Sequence, residues 1–250
     1  MLAQHFDAGI LTLTLDRPDK RNALSSALIE ALLVAVERAD LDAQVRVLVI
    51  KGAGKDFCAG ADLEELLASA DKDLAENEAS ALRLGALFQA LRLLPKPVVA
   101  VVQGRALAGG CGLVTACDLV LAADDAQFGY PEIQRGFVPA MVMAMLVRQV
   151  GEKQALHLTV TGRLFGAAEA RELGFVSKVI PVAELEGKSA EMVRGLTKVS
   201  LTAYALTKQL CYAQDGLPFE DAIKLGARIN AMSRATPDFK SSIAAFLEKK

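Results

Sequence analysis

Apolar and polar residues alternate along Ile10-Leu11-Thr12-Leu13-Thr14-Leu15, and this period of two predicts a half-buried strand. The polar stretch 16–22, which holds Pro18, predicts a turn. From 24 to 39 the apolar positions switch to helical spacing, with Ser25 placed to cap. The run 45–50 reads as a buried strand, broken by Lys51-Gly52-Ala53-Gly54-Lys55. Asp62-Leu63-Glu64-Glu65 is a capping signal for a helix over 63–68. The polar stretch 69–77 predicts a loop or frayed helix. A long helix then reaches about Leu93, where Pro95-Lys96-Pro97 stops it.

Val98-Val99-Ala100-Val101-Val102 predicts a second buried strand. Residues 104–112 are glycine-rich, and 113–117 read as helix. Strands over 119–122 and 126–128 flank an acidic turn. Beyond Pro139 the chain reads as mostly helical, interrupted at 176–181, with no strand signal from about Gly195 onward. The pattern is one of strand–helix units followed by an all-helical tail, an α/β chain divided into a core over 1–194 and a helical region over 195–250.

Composition narrows the function. Of 250 residues, 52% are apolar and 23% charged, a globular mixture. Lys+Arg 28 against Asp+Glu 30 leaves no basic field for a phosphate backbone, so no nucleic-acid partner is expected. The longest uncharged runs are too short to span a bilayer, so no membrane partner is expected either. Four scattered cysteines and two histidines argue against zinc. Free thiols and the lack of a signal-like start suggest a cytoplasmic setting.

Familiar motifs fail one by one. Gly52-Ala53-Gly54 follows a strand, but the next glycine of a dinucleotide fingerprint falls at Phe57. Gly104 to Gly109 has phosphate-loop spacing, yet Gly110-Cys111 follows where Lys-Ser/Thr should. No G-x-S-x-G occurs. Cys111 between glycines reads as a small core residue. His5, in a frayed N-terminus, and His157, on a helix, read as structural or solvent-facing. The methionines at 141, 143 and 145 read as core.

Two glycine-bearing turns remain, Phe57-Cys58-Ala59-Gly60-Ala61-Asp62-Leu63 and Ala108-Gly109-Gly110-Cys111-Gly112-Leu113, each before a helix. Unpartnered N–H groups from two such turns, facing one point, would bind an oxyanion. Small residues that permit close packing explain the turns equally well. Glu132, after Pro131 in an apolar neighbourhood, is either a desolvated acid/base or a surface loop carboxylate.

Taken in order, these pieces resemble one family. Arg17-Pro18, Asn22-Ala23-Leu24, the two turns, Cys117-Asp118, Ala126-Gln127-Phe128-Gly129-Tyr130-Pro131-Glu132-Ile133 and Thr161-Gly162-Arg163 through Leu173-Gly174-Phe175-Val176 are similar to the crotonase (enoyl-CoA hydratase/isomerase) superfamily. The resemblance implies a crotonase-type spiral of ββα units with a C-terminal helical trimerisation region, assembled as a homotrimer or a hexamer. It implies an acyl-CoA substrate and no cofactor, coenzyme A entering as part of the thioester. It assigns the oxyanion donors to the N–H groups of Ala61 and Gly109 and the acid/base role to Glu132. Coenzyme A contacts fall near Lys20 and Arg21 and along Ala61, Asp62, Leu63 and Glu64.

The sequence departs from the family at two places. Two-glutamate hydratases carry a first Glu directly after the Gly-Gly-Cys turn, where this chain has Gly112, and a second at the position of Glu132. A glycine at 112 is expected to leave space beside the oxyanion turn. One carboxylate can still take a proton from one carbon and return it to another, as in the Δ3,Δ2-enoyl-CoA isomerases. The stretch Ala140-Met141-Val142-Met143-Ala144-Met145 replaces a glycine-rich one and suggests a narrow, dry acyl pocket or a packed trimer core. The expected activity is isomerase-like proton transfer or non-standard hydration. A thioester hydrolase and a non-catalytic acyl-CoA-binding homologue are the alternatives.

Overall fold

The computed structural model describes residues 1–248. A hairpin opens the chain: β1 (Leu2–Asp7) pairs antiparallel with β2 (Ile10–Leu15) across Ala8 and Gly9, both at positive φ. His5 therefore lies opposite Thr12 in an ordered edge strand, not in a frayed terminus. The outward side chains of β1 are mostly exposed, which leaves it without the apolar alternation that marks β2.

The strands β2, β3 (Val47–Gly52), β4 (Val98–Val102), β6 (Leu119–Ala123) and β9 (Lys178–Ile180) continue that sheet in parallel, in the order β1-β2-β3-β4-β6-β9. Burial on both faces explains the unbroken apolar runs of β3 and β4. A second sheet, β5-β7-β8, is built from Arg105–Leu107, Gln127–Gly129 and Leu164–Gly166. These strands have three residues each, too few to show a period, and β5 and β8 gave no sequence signal.

The chain repeats one move. A strand of the large sheet runs into the small sheet and then into a helix: β4–β5–α4 (Gly109–Ala116), then β6–β7–α5 (Ala140–Val150). In the earlier turn β3 is followed by a lone bridge, Cys58 to Ala106, before α2 (Leu63–Ala68) and α3 (Leu74–Leu93). This is the expected ββα spiral.

Local chemistry sets the helix ends. The Ser25 hydroxyl accepts from Leu28 N at the start of α1 (Ser26–Leu41), and Asp62 caps α2. Asp73 and Glu76 form a reciprocal capping box, so α3 begins at Leu74, inside the stretch expected to be a loop or frayed helix. Likewise α4 begins at Gly109, four residues before the apolar run that predicted it. Helices α6 (Glu152–Thr161), α7 (Ala167–Glu172) and α8 (Leu185–Leu196) follow, and α9 (Leu201–Ala213), α10 (Phe219–Arg234) and α11 (Pro237–Leu247) form the tail.

One half-buried carboxylate docks that tail. Asp118 accepts from Val98 N at 2.9 Å, Lys208 Nζ at 2.8 Å and the hydroxyls of Tyr204 and Tyr212 at 2.9 Å. The three α9 residues are spaced by four, so they share one helix face. Tyr204 is thus used within the chain. Large apolar side chains on α10 and α11, such as Phe219 and Ile243, stay exposed.

Candidate active site

The two glycine-bearing turns lie side by side. Cys58 N donates to Arg105 O at 3.0 Å, and Cys58 O accepts from Leu107 N at 2.9 Å. Two glycines make the contact possible. A Cβ at Gly110 would stand 2.4 Å from Cys58 O, and one at Gly60 would stand 2.7 Å from the Ala108 methyl. Close packing is therefore a real function of these glycines, but it leaves the N–H groups to be accounted for.

Leu24 N donates to Gly60 O at 2.8 Å, and Asp62 N donates to Leu24 O at 3.1 Å. In a bridge of this kind the intervening residue points its N–H to the opposite side. That residue is Ala61, and its N–H donates to no acceptor among the described residues. Gly109 opens α4, where an N–H has no intrahelical partner, and it too donates to none. A methyl built on Gly109 would stand 3.8 Å from Ala61 N and 3.4 Å from Leu24 Cδ1, so the two donors border one small space. Each donor follows a residue at positive φ, Gly60 at 95° and Ala108 at 50°. The second is an alanine in a region L-residues avoid, and no sequence signal reveals it.

Glu132 sits in a short 3-10 helix, Pro131–Arg135, and is 8% exposed. Its Oε2 is buried with no hydrogen-bond partner. Burial pushes the carboxyl above its ordinary range, against the smaller pull of its own N–H and of Arg135. Gln134 donates to Gly162 O and Phe137 N to Glu132 O, which fixes the turn. The surface-loop reading of Glu132 does not hold.

Cys111 is a core residue, as read from sequence. Its thiol donates to Ala106 O and burial pushes it up to about 12. The space expected beside Gly112 is absent. A Cβ there would stand 2.4 Å from Val142 Cγ1 and 2.6 Å from Phe88 Cζ. Gly109 and Gly112 share a face of α4, and Leu84 and Phe88, one turn apart on α3, lie along it. The site wall is thus Leu24, Leu84, Phe88 and Val142, all buried. Sequence reasoning missed Leu84 and Phe88, because an amphipathic stripe shows what is buried but not against what. Of the methionines, Met141 packs near Gly85 on α3, and Met145 is in the core.

The residues expected at the coenzyme A end divide into two kinds. Lys20 and Glu64 are exposed and ion-paired with each other, and Arg21 and Leu63 are exposed. Asp62 is buried, caps α2 and pairs with Arg17 at 2.9 Å, so its side chain has no free oxygen to offer a ligand.

Known proteins similar in sequence and structure place the chain in a family. The sequence signature described as enoyl-CoA hydratase/isomerase matches residues 5–250. The chain belongs to the enoyl-CoA hydratase/isomerase family. A Thermus thermophilus protein provisionally named enoyl-CoA hydratase is 42% identical over 236 residues, covering 94% of this chain and 93% of that protein. The 2,3-dehydroadipyl-CoA hydratase of Escherichia coli is 35% identical over 96% of this chain and 93% of its own. The crystal structure of a Mycobacterium smegmatis enoyl-CoA hydratase superposes with a TM-score of 0.94 at 36% identity, over 100% of this chain and 96% of that one. The crotonase fold and an acyl-CoA-related family are therefore established. No helix among the described residues is long and apolar enough to cross a membrane.

Proposed function

We propose that this family member moves a proton at an enoyl-CoA thioester, with Glu132 as its single acid/base and the N–H groups of Ala61 and Gly109 as oxyanion donors. The reading is carried by three unused polar groups: two backbone donors bordering one space, and a buried carboxylate oxygen without a partner. Such groups are rare in a folded chain unless a ligand completes them.

Glu132 takes a proton from the carbon of a 3-enoyl-CoA that lies between the thioester carbonyl and the alkene. Charge develops on the thioester oxygen, which the two N–H groups receive. The same carboxyl then returns the proton at the other end of the allylic system, so the double bond shifts and nothing else is consumed. A carboxyl whose affinity for protons is raised by burial suits both halves of that exchange. The apolar seal of Phe88 and Val142 over Gly112 supports isomerisation, since no second carboxylate and no open space for an ordered water occur there. Hydration using Glu132 alone is the second reading, favoured by the hydratase names of the relatives. A non-catalytic binder would leave the buried proton carrier unexplained, and a hydrolase would need an ordered attacking water, for which the closed position at Gly112 offers no place.

The coenzyme A moiety of the substrate lies along Lys20, Arg21, Leu63 and Glu64, with Asp62 shaping that surface from beneath. The thioester supplies the chemistry without a further cofactor. The exposed apolar faces of α10 and α11 form the contacts of a trimer, and light scattering is expected to give three or six copies.

Paired 2-enoyl- and 3-enoyl-CoA substrates, followed by mass spectrometry, test the activity. Interconversion without a gain of water supports isomerisation, and a mass gain of one water supports the second reading. Glu132→Gln is expected to lose about 10²–10⁴ in turnover while binding persists. In wild type, kcat/KM is expected to fall toward acid pH at a higher pH than an ordinary Glu would give, because Glu132 must be ionised to accept the first proton.

A further inference from the structure

The bridge that aims Ala61 consists of two hydrogen bonds between loops. Each contributes about 1 kcal/mol net, too little to fix a donor direction alone. Arg17 closes the bridge from the side. Its Nη1 donates to Ala23 O at 2.7 Å, next to Leu24, and its Nη2 donates to Asp62 Oδ2 at 2.9 Å, next to Ala61. One planar group therefore spans both strands of the bridge. Asp62 passes the constraint on, because its other oxygen accepts from Glu64 N and seats the first turn of α2.

Arg17 is itself held. Its N–H donates to Asn22 Oδ1 at 2.9 Å, and its carbonyl accepts from Asn22 N. Asn22, fully buried and at φ 56°, donates from Nδ2 to Ala53 O and Asp56 O, at the end of β3. A continuous set of hydrogen bonds thus runs from the large sheet through Asn22, Arg17 and Asp62 to the peptide that carries the Ala61 N–H. The Arg17 side chain is 20% exposed and that of Asp62 8%, so the pair is largely desolvated.

We infer that Arg17, acting through Asp62 and Ala23, is a positioning residue that sets the direction of the Ala61 N–H for the thioester oxygen. The inference rests on Ala61 being an oxyanion donor. Arg17 touches no reacting atom in this arrangement. Lysine cannot replace it, because an ammonium lacks the planar fork that reaches two acceptors in fixed directions.

The experiment compares Arg17→Lys, Arg17→Gln and Asp62→Asn with wild type and with Gly109→Ala, which disturbs the same space from the other turn. Turnover and KM are measured on the best substrate of the enoyl-CoA pairs. The carbonyl stretch of a bound short 2-enoyl-CoA is read by difference infrared spectroscopy in a Glu132→Gln background, with melting temperatures alongside. The expected result is a fall in kcat of about 10-fold to 100-fold, below the 10²–10³ of losing a donor outright. KM should change little, and the bound carbonyl should shift less than with the Glu132→Gln parent. Folded Arg17 and Asp62 variants with the parent carbonyl shift and wild-type kcat would overturn the clamp. If Gly109→Ala also leaves kcat and the carbonyl shift unchanged, the oxyanion reading itself fails. Should Arg17→Gln not fold, Arg17→Lys and Asp62→Asn decide the matter.

Discussion

The two turns that present the donor N–H groups are built by different means. The first, around Ala61, is held by side chains: Arg17 to Asp62, Lys20 to Glu64, and the Ser26 hydroxyl and N–H to Glu65. Its helix α2 is six residues long and has no buried residue. The second turn, around Gly109, has no side-chain cap, yet every residue of α4 is buried. It is held by packing, with backbone strain at Ala108 in place of ion pairs. One donor is therefore held by ion pairs, the largely desolvated Arg17–Asp62 pair among them, and the other is fixed by packing in the core.

The comparison breaks most sharply at Gly109. A methyl there makes ordinary contacts, 3.4 Å to Leu24 and 3.8 Å to Leu84 and to Ala61 N, so Gly109→Ala should fold. The methyl occupies the space the donors border. Turnover is expected to fall about 10²–10³, as for loss of a donor, with the melting temperature near wild type. Stopped-flow turnover beside differential scanning fluorimetry checks both halves. A folded variant with wild-type turnover would remove the second turn from the reaction.

Gly112→Glu comes next. The resemblance to two-glutamate hydratases makes it the obvious attempt to restore hydration, but Val142 and Phe88 fill the position. Overpacking alone costs roughly 1–3 kcal/mol, and an unpaired carboxylate among buried apolar groups adds to it. The expected outcome is a lower denaturation midpoint and no gain in hydration. Val142→Ala combined with Gly112→Glu should recover part of the midpoint. A gain in hydration by the single variant would mean that the apolar seal opens readily.

Acid should loosen the first turn and spare the second. Burial works to raise the Asp62 carboxyl, but Arg17 and the Glu64 N–H outweigh it and hold the group below its ordinary 3.8. The stabilisation is thus present above the ordinary value and is lost as pH falls through the lower folded value. The thiol of the second turn, Cys111, is pushed up to about 12 by burial and does not titrate in that window. Wild type should lose more melting temperature than Asp62→Asn between pH 5 and pH 2.5. A charge-assisted contribution of about 1–2 kcal/mol corresponds to roughly 2–8 °C for a chain of this size. Equal acid slopes would show that the ion pair contributes nothing to the turn.

The same contrast explains what the sequence discloses. Capping residues act within three or four positions, so Ser25 and Asp62 mark their helices locally, and the long apolar runs mark β3 and β4. The first turn could be placed from Asp62-Leu63-Glu64-Glu65 alone. The second could not, since α4 starts on glycines that propensity assigns to loop, and its stability comes from burial on all sides. Whether the turns bind an oxyanion or merely pack was open from spacing, because both depend on small residues. Positive φ at Ala108, the partnerless oxygen of Glu132 and the closure of Phe88 over Gly112 arise from contacts across 20 residues or more, beyond any local pattern.

The smallest effect is expected at Ala108. An L-residue at φ 50°, ψ −121° is strained by about 1–3 kcal/mol, whereas glycine adopts this conformation freely. Glycine also gives the unfolded chain more freedom, which offsets about 0.4–1 kcal/mol of the relief. Its methyl fills the place a side chain at Gly60 would take, 2.7 Å away, so its removal leaves a gap between the turns. These terms nearly cancel in stability but not in function. Ala108→Gly should melt within a few degrees of wild type, roughly 2–4 °C for each kcal/mol left over. Its turnover should fall several-fold, because the peptide before Gly109 gains freedom and its N–H is no longer held toward the shared space. A variant with lower stability and full turnover would place the alanine in packing alone. Lower turnover at unchanged stability would show that the core-held donor depends on a strained residue, as the ion-pair-held one depends on Arg17.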